Sequence, residues 1–399
     1  MLQPQASPMD LLGWGISELK SAGAHWTARE ICQQPQIWLE VERLMATQSD
    51  ALSRFLAPLL ARADLRIVLT GAGTSSFAGQ CLALAMSGRA AHRVEAVATT
   101  DLVAGPQRWL SRGSPTLLVS FARSGNSPES VAALELAEQC VDDCFHLVVT
   151  CDAEGALCRR ARGMPKAYAI LLPELSNDRG FAMTSSFTGM LLAAAMAFKV
   201  VPMDGTRGLA LSRLAAQSVP DRLPLLQDLV SEGFDRVVYL GSNELGGLAR
   251  EAALKMLELT DGRVIAAGDT PLGFRHGPKT ILNHNSLVVL FLSSDPYTRQ
   301  YEVDLLSELR RDAVARRVVA LAISAPAALH RDDVVFSHPT LDVAHSGDLE
   351  SCFPFVMFAQ ALALLRSLSL GIRPDTPNAA GIVNRVVQGV SIYPWTGPR

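Results

Sequence analysis

A serine-rich loop near residue 125 has the composition of an anion-binding site. An apolar run over residues 116–120 precedes it, and Gly125 permits backbone geometry that other residues adopt only at a cost. Ser127 followed by Pro128 is typical of a helix N-cap with proline at the first helical position. An anion placed there would meet free N–H groups, the positive end of a helix dipole and the hydroxyls of Ser124 and Ser127. The pattern predicts a phosphate-binding loop, with ordinary turn chemistry as the alternative.

Three charged residues in the second half of the chain could carry acid–base chemistry. Glu251, Lys255 and Glu258 are spaced i, i+4 and i+7, which puts them on one face of a helix predicted over 244–259. A surface ion pair between Glu251 and Lys255 is the simpler interpretation. Glu258 falls at the helix C-terminus, where the dipole disfavours a negative charge, so a function and solvent exposure are the two candidate reasons for its position.

His276 lies in a segment framed by glycine and proline. Residues 268–279 are too rich in these two types for a helix or a strand, and we predict a loop. A histidine in such a loop could transfer protons in a reaction, and a histidine without a function is the alternative.

Strands and helices that alternate along the chain must bring these residues together. An apolar run over 189–201 is interrupted by Lys199 and suits a helix buried against a sheet. The predicted strands of the first half are 66–70, 93–98, 116–120, 145–150 and 167–172, with a loop over 71–76 and a helix over 77–88 after the first of them.

The second half of the sequence repeats the first. Arg236-Val-Val-Tyr-Leu-Gly241 stands 170 positions after Arg66-Ile-Val-Leu-Thr-Gly71, and the apolar run from Ser286 stands 170 after the run from Thr116. Later strands are predicted over 318–323 and 334–336, followed by an apolar helix over 352–370. We infer an α/β protein with two tandem doubly wound parallel sheets of common ancestry.

The repeat also sets the predicted domain boundaries. A helical arm is predicted over residues 1–50, a first α/β domain over 51–205, a second over 220–373 and a tail over 374–399. Within the arm, Thr27 to Glu30 is interpreted as a capping box. The apolar stripe of the arm consists of Ile31, Ile37, Trp38, Val41 and Leu44.

Two loops of the first half follow strand ends, which is where ligands of doubly wound sheets bind. Gly73, Thr74 and Ser75 follow the first predicted strand, and the serine-rich loop follows the third. If the two are adjacent, they form a pocket sized for a phosphate monoester. A dinucleotide site is the alternative, but the G-x-G start is followed by Ser76 at the sixth position, and Glu95 is a poor ribose ligand by its spacing.

Composition argues against several classes of partner. The chain has 36 basic and 39 acidic residues and a formal net charge of -3, so no overall field attracts nucleic acid or an anionic membrane. The first five residues lack the features of a signal peptide, and we expect a cytoplasmic protein. Cys140, Cys144, Cys151 and Cys158 show no C-x-x-C spacing, and we expect the seven cysteines to pack as small hydrophobic residues, with no metal site.

Six short motifs together resemble one family. They are Glu30-Ile-Cys-Gln-Gln-Pro35, Gly73-Thr-Ser75, Ser120-Phe-Ala-Arg-Ser-Gly-Asn-Ser-Pro-Glu-Ser130, Glu251-Ala-Ala-Leu-Lys-Met-Leu-Glu258, Arg275-His-Gly-Pro278 and Asn384-Arg-Val-Val-Gln-Gly389. Nearly the whole chain is similar to the sugar isomerase (SIS) domain proteins, and most closely to their AgaS branch. That branch comprises the galactosamine-6-phosphate deaminase/isomerases, formerly called tagatose-6-phosphate ketose/aldose isomerases.

The resemblance implies roles for individual residues. It extends to the isomerase half of glucosamine-6-phosphate synthase, and it implies proton transfer by Glu258 and ring opening by His276, which in that relative comes from the partner subunit. It therefore implies a homodimer with shared sites. The residues that it implies or suggests for substrate and phosphate binding are Gly73, Thr74, Ser75, Arg123, Ser124, Asn126 and Ser127, with Glu251, Lys255, Asn384 and Arg385 as candidates for a supporting role.

The tail departs from the pattern of glucosamine-6-phosphate synthase. That relative carries a lysine in its C-terminal tail, whereas this chain has no lysine after Lys279. A Schiff base between the tail and the sugar is therefore excluded. Asn384 and Arg385 could instead approach the substrate or fasten the tail, and the fastening role is the one we favour.

The resemblance implies a deaminase that acts on a phosphorylated amino sugar with isomerisation. The expected reaction converts galactosamine 6-phosphate and water to tagatose 6-phosphate and ammonia, and it needs no metal or organic cofactor because the open-chain aldehyde acidifies the C2 proton. An aldose–ketose isomerase without ammonia loss is one alternative. A non-catalytic sugar-phosphate sensor is another, although the arm is too short to hold a helix-turn-helix domain beside its own apolar stripe.

Overall fold

The computed structural model describes residues 10–88, 92–323, 330–336, 347–387 and 389–397. The predictions made for the first five residues and for Gln388 lie outside these ranges. The described strands are β1 (Arg66–Gly71), β2 (Arg93–Ala98), β3 (Thr116–Ala122), β4 (Cys144–Thr150), β5 (Ala167–Leu171), β6 (Arg236–Leu240), β7 (Ile265–Asp269), β8 (Ser286–Phe291), β9 (Arg317–Ala322) and β10 (Val334–Val335).

The strands form two parallel five-stranded sheets of the same topology. The first has the order β2-β1-β3-β4-β5 and the second the order β7-β6-β8-β9-β10. Their registers also correspond, because Arg66 is level with Thr116 in the first sheet and Arg236 with Ser286 in the second. The predicted α/β class with two related parallel sheets is therefore confirmed.

Helices cover both faces of each sheet, and for this reason β1, β3 and β8 are buried along their whole length. The described helices are α1 (Ile16–Ala22), α2 (His25–Cys32), α3 (Gln34–Leu60), α4 (Thr74–Ser87), α5 (Thr99–Ala104), α6 (Pro106–Trp109), α7 (Pro128–Cys140), α8 (Ala156–Arg162), α9 (Ser185–Ala197), α10 (Arg207–Ser218), α11 (Leu223–Glu232), α12 (Glu244–Leu259), α13 (Pro271–Phe274), α14 (Pro296–Asp312) and α15 (Cys352–Ser369).

One hydrophobic core joins the two halves of the chain. Alternate residues of β3 and β8, among them Phe121 and Phe291, face the same cluster as α3, α9 and α15. All 13 residues of α9 are buried, as expected for a helix that is apolar on every side. The stretch Gly347–Ser369 is long and apolar enough to cross a membrane, but 89% of its apolar 18-residue window is buried inside the fold, so its composition is explained by its place in the core.

The first correction to the sequence predictions concerns the N-terminal arm. α2 begins at His25, so Thr27 lies inside the helix and is not an N-cap. The predicted capping box is wrong because both of its side chains have distant partners: the Thr27 hydroxyl donates to Asp375, and Glu30 accepts from the backbone N–H of Arg179. Helix α3 also runs without interruption across residue 50.

Two predicted loops are partly regular structure. The loop expected over 71–76 is shorter, since α4 already begins at Thr74. The loop expected over 268–279 contains the end of β7, the helix α13 and a 3-10 turn over Pro278–Ile281. Gly268 fits into β7 because this strand pairs with β6, and tertiary pairing outweighs the low strand propensity of glycine.

Candidate active site

A pocket of about 120 Å³ lies at the carboxyl ends of β1 and β3. This volume is several times the roughly 30 Å³ that one water molecule occupies in the liquid, so it can hold a phosphate group. Ser75, Ser124 and Ser127 all line it, so the fold brings the two predicted loops together. The other lining residues are Ala72, Phe121, Ala122, Arg123, Gly125, Ser130, Met183, Arg385, Val386 and Val387.

The serine-rich loop forms the N-terminus of α7. Ser127 is the N-cap, and its hydroxyl accepts a hydrogen bond from the backbone N–H of Ser130 at 3.3 Å. The Ser124 hydroxyl accepts from the backbone N–H of Asn126 at 3.3 Å. Asn126 does not line the pocket. Its side-chain carbonyl oxygen instead accepts a hydrogen bond from the backbone N–H of Ala156 at 3.0 Å.

The other loop is a tight turn between β1 and α4. Gly73 has φ 55° and ψ -125°, a region that side chains with a Cβ rarely adopt. This turn lets α4 begin at once and places Ser75 in the first helical turn, where the helix dipole favours an anion. Thr74 is buried beside it, and its side chain interacts with the carboxyl group of Glu251.

Arg123 supplies a buried positive charge to the pocket. Its Nη1 donates to the carbonyl oxygens of Gly180 at 3.4 Å and Phe181 at 3.2 Å, and its Nη2 donates to that of Arg385 at 2.7 Å. Burial, and then the charge of Arg385, lowers the pKa of Arg123. Among the hydrogen bonds described here, Arg123 has neutral acceptors only, so an anion in the pocket would compensate a charge that is costly to bury.

The C-terminal tail closes one side of the pocket. Arg385 lines it, and the side chain of this residue donates from Nε to the carbonyl oxygen of Asp178 at 3.1 Å. Asn384 instead donates to the carbonyl oxygen of Gly381 at 3.1 Å within the tail, and it does not line the pocket.

The three charged residues of α12 form a buried cluster. Side chains of Glu251 and Lys255 are fully buried, and that of Glu258 is 25% exposed. Lys255 Nζ contacts Glu258 Oε2 and lies 3.6 Å from Glu251 Oε1. The alternative of a surface ion pair is therefore wrong, because α12 packs against α4 of the first half and turns this face inward.

Burial controls protonation in this cluster. It raises the pKa of Glu251 to about 8, even though the charge of Lys255 acts in the opposite direction. Burial alone would lower the pKa of Lys255, but the carboxylates of Glu251 and Glu258 outweigh it and the pKa is raised. Two carboxyl groups thus share one ammonium group. Because its pKa is raised, the carboxyl group of Glu251 keeps its proton at neutral pH.

The cluster and the pocket are neighbours. The charges of Lys255 and Glu258 both interact with that of Arg123, which places both residues within electrostatic range of the pocket. Glu258 is not among the residues that line the pocket, but its carboxylate lies within electrostatic range of the cationic Arg123 that does. This arrangement can bind an anionic group at one end of a small molecule and transfer a proton at the other.

His276 is not part of this pocket within one chain. It is exposed and follows α13, and it is absent from the residues that line the pocket. Its neighbour Arg275 forms ion pairs with Asp304 at 3.0 Å and with Glu308 at 2.7 Å, which fixes this segment to α14.

The sequence interpretation missed the segment 177–183, which contributes Met183 to the pocket and two carbonyl groups to Arg123. Asp178, Thr184 and Ser185 could have pointed to this segment in the sequence, because they are residue types that cap helices and they lie just before and at the start of α9.

One group of described residues has a spacing that could hold a metal ion. Ligand atoms of Glu138, Cys144 and His146 lie within 4.8 Å of one another. His146 Nε2 and Glu138 Oε1 are 2.7 Å apart and form a hydrogen bond, and burial raises the pKa of the Cys144 thiol to about 12. Hydrogen bonding and packing already account for these contacts, and the group lies near the start of β4, away from the pocket.

Comparisons with known proteins identify the family. The SIS domain model matches residues 59–200. D-galactosamine-6-phosphate deaminase AgaS of Escherichia coli is 46% identical over 388 residues, which cover 94% of this chain and 97% of that protein. The protein of the same name from Shewanella sp. (strain ANA-3) is 42% identical over 381 residues, or 95% of this chain and 94% of that one.

A solved structure agrees with the sequence comparisons. The crystal structure of tagatose-6-phosphate ketose/aldose isomerase from Escherichia coli superimposes with a TM-score of 0.84 at 43% identity, over 93% of this chain and 97% of that chain. High identity along almost the full length of several relatives, together with the shared fold, shows that this chain belongs to the AgaS family of SIS-domain proteins.

Proposed function

We propose that this protein is an aldosamine-6-phosphate deaminase that converts galactosamine 6-phosphate and water to tagatose 6-phosphate and ammonia. The observation that carries this proposal is that Glu258 lies within electrostatic range of Arg123, which lines a pocket together with Ser75, Ser124 and Ser127. The names of the relatives at 46% and 42% identity support the same reaction.

The pocket binds the phosphate group of the sugar. The hydroxyls of Ser75, Ser124 and Ser127 and the N-termini of α4 and α7 donate hydrogen bonds to its oxygens, and Arg123 compensates its charge. Binding energy from this remote end of the substrate then holds C1 and C2 near Glu258.

Glu258 transfers the proton between carbon atoms. In the open-chain sugar, C1 is an aldehyde carbon and C2 carries the amino group. Glu258 removes the C2 proton while O1 takes up a proton from water, which gives an enaminol. Glu258 then returns a proton to C1, the nitrogen releases a proton to water, and the resulting C2 imine is hydrolysed by water to the ketone and ammonia. The contact with Lys255 orients the Glu258 carboxylate, and Glu251 anchors Lys255 from the opposite side.

His276 assists opening of the sugar ring from the partner subunit, and the protein is a homodimer with shared sites. Two observations support this assignment: His276 is exposed, and it is not among the residues that line the pocket of its own chain. Ile382, Val383 and Tyr393 of the tail expose 81%, 57% and 82% of their surface, and an interface with a second copy would cover apolar groups of this kind.

The protein acts in the cytoplasm on a phosphorylated amino sugar and does not bind nucleic acid or membranes. Its seven cysteines are free thiols, which fits a reducing compartment. The net charge of -3 gives no general attraction to polyanions.

Ammonia release from hexosamine 6-phosphates tests the proposal. Galactosamine 6-phosphate should yield ammonia and a ketose phosphate in equal amounts, and the glucosamine and N-acetylated compounds serve as comparison substrates. The same pocket and carboxylate would also suit a simple aldose–ketose isomerase, a function named for the solved relative. Interconversion of aldose and ketose phosphates without any ammonia from the panel would establish that alternative.

A further inference from the structure

The N-terminal arm reaches the active site through a buried carboxyl group. Glu30 of α2 is 3% exposed. Its Oε1 accepts from the backbone N–H of Arg179 at 2.5 Å, and the backbone N–H of Gly180 lies 3.2 Å from Oε1 and 3.1 Å from Oε2. Glu30 thus fixes two consecutive peptide groups of the segment 177–183. It belongs to a sequence motif that the proposed chemistry leaves without a role.

A second buried acidic side chain, that of Asp178, fixes the same segment from its other side. Asp178 accepts hydrogen bonds from the backbone N–H groups and from the hydroxyls of Thr184, Ser185 and Ser186, at the N-terminus of α9. The segment therefore has little freedom between the arm and α9, although it has no regular secondary structure.

This segment helps to hold Arg123 in place. Two of the three carbonyl acceptors of Arg123 belong to Gly180 and Phe181, and Gly180 is also bonded to Glu30 through its N–H group. Gly180 thus links the two side chains directly: its N–H donates to Glu30, and its carbonyl oxygen accepts from the guanidinium group. Movement of the segment would withdraw acceptors from a buried cation that lines the pocket.

We infer that Glu30 is a positioning residue that sets the affinity of the pocket for phosphate through Arg123. The inference rests on the proposed function of the pocket. Glu30 itself does not line the pocket and takes no part in proton transfer. Glu30 affects where the positive charge of Arg123 lies, and the phosphate group must contact that charge. A change at Glu30 should therefore alter phosphate binding more strongly than turnover.

Glu42 provides a matched control. It also belongs to the arm, is 5% exposed, and accepts from two consecutive backbone N–H groups, those of Arg207 at 3.1 Å and Gly208 at 2.9 Å. These residues begin α10, away from the pocket. Glu30→Ala and Glu42→Ala therefore remove the same kind of interaction, and only the first removes it from the segment that holds Arg123.

The experiment measures binding of inorganic phosphate by calorimetry, together with kcat and KM. Glu30→Ala should weaken phosphate binding and raise KM by about tenfold, with kcat changed by less than about threefold, whereas Glu42→Ala should leave phosphate binding unchanged. Glu30→Gln should restore most of the affinity, because its amide oxygen can still accept both N–H groups. Burial and the nearby carboxylate of Asp178 raise the pKa of Glu30 to about 8, so a neutral amide also matches its charge at neutral pH.

A double variant tests whether Glu30 acts through Arg123. If it does, Glu30→Ala should add no further loss to Arg123→Ala, whereas multiplied losses would overturn the inference. Equal phosphate affinity in Glu30→Ala and Glu42→Ala would overturn it too. Should Glu30→Ala fail to fold, Gly180→Ala disturbs the same bonds, since its Cβ would lie 2.8 Å from Glu30 Oε2, and it should give the same loss.

Ser124→Ala separates this inference from the proposed function. If phosphate binding is unchanged in Ser124→Ala, the phosphate pocket itself is wrongly assigned. If Ser124→Ala weakens phosphate binding and neither Glu30→Ala nor Gly180→Ala does, the pocket stands and only the role of Glu30 is refuted.

Discussion

The arrangement of Glu251, Lys255 and Glu258 shows how one helical face can serve acid–base chemistry. All three have their side chains turned toward the first half of the chain, and one lysine lies between two carboxyl groups. Glu258 alone is partly exposed, which is why we propose it, and not Glu251, as the group that meets the substrate. Glu251 and Lys255 set its position and its electrostatic surroundings.

The first prediction at this scale concerns Glu258. Glu258→Gln should lower turnover by about 10²–10⁴-fold, because no other group is assigned to carry the C2 proton. It should also fail to exchange the C2 hydrogen with deuterated solvent, as followed by NMR, while phosphate sugars still bind. His276→Ala is the comparison, and it should keep exchange with a substrate analogue locked in the open-chain form. Robust exchange by folded Glu258→Gln would transfer the role of base to another group.

The second prediction uses the protonation of Glu251. Its pKa is raised from 4.5 to about 8, so the folded protein binds this proton more tightly than the unfolded chain does. The resulting stability is fully present below about pH 4.5 and is lost as the pH rises through about 8. Relative to wild type, Glu251→Gln should therefore gain stability with increasing pH across this window, by at most about 1.4 kcal/mol per pH unit.

Urea unfolding of both proteins at several pH values measures this difference. Gln360, a buried neutral residue of α15, offers a control through Gln360→Ala, whose stability relative to wild type should not depend on pH. A parallel pH dependence in wild type and Glu251→Gln would show that Glu251 is ionised throughout.

At the scale of elements, the turn before α4 and the turn before α12 have nearly the same conformation, whereas the loops after β3 and β8 differ. Asn243, 170 positions after Gly73, has φ 50° and ψ -123° at the start of α12, which is nearly the conformation of Gly73. The loop after β8 differs in its polar partners, since Asp348 accepts from the Ser294 N–H at 2.6 Å and from its hydroxyl at 2.7 Å. The Asp348 carboxylate thus accepts from an N–H group and a hydroxyl after β8, and groups of these two kinds face the pocket in the first sheet.

Asn243 gives a prediction about the stability of this turn. A residue with a Cβ in this conformation costs of order 1–3 kcal/mol, and glycine loses about 0.5–1 kcal/mol more entropy on folding than alanine. Asn243→Gly should therefore raise the free energy of unfolding by about 1 kcal/mol, as measured by urea titration. Gly73→Asn, the reverse change in the first sheet, should lower it. A destabilised Asn243→Gly would show that the weak Asn243–Thr298 contact at 3.5 Å outweighs the strain.

At the scale of the whole molecule, the candidate site is assembled from distant parts of the chain. The first sheet contributes the hydroxyl-rich loops, α12 of the second half contributes Glu258, and the tail contributes Arg385. His276 lies outside this assembly in a single chain. The dimer proposed above would complete it.

Mixing of inactive variants tests the shared site. Chains with Ser124→Ala and Ser127→Ala lack two of the hydroxyls proposed to bind phosphate, and chains with His276→Ala lack the proposed ring opener. Mixed dimers of the two should recover part of the activity, because one of their two sites would be built from intact parts. Activity is measured after subunit exchange has been verified by mass spectrometry. No recovery would place His276 in the site of its own chain.

The sequence by itself determined the local features of this protein. The 170-residue repeat predicted two equivalent parallel sheets, and the serine-proline pair predicted the N-cap at Ser127. The bounds of α12 also follow from its pattern. These features depend on residues close to one another in the chain, so hydrophobic periodicity and capping chemistry are enough to reveal them.

Only the tertiary structure decided how distant residues combine. The capping box predicted at Thr27 was wrong because Asp375 and the 179–180 peptides offer partners that sequence distance conceals. The pairing of Glu251 with Lys255 was visible in their spacing, but its burial depended on α12 packing against α4. Burial changes the energy of a charge far more than its neighbours in sequence do, so the protonation of Glu251 and the surroundings of Arg123 are properties of the folded chain alone.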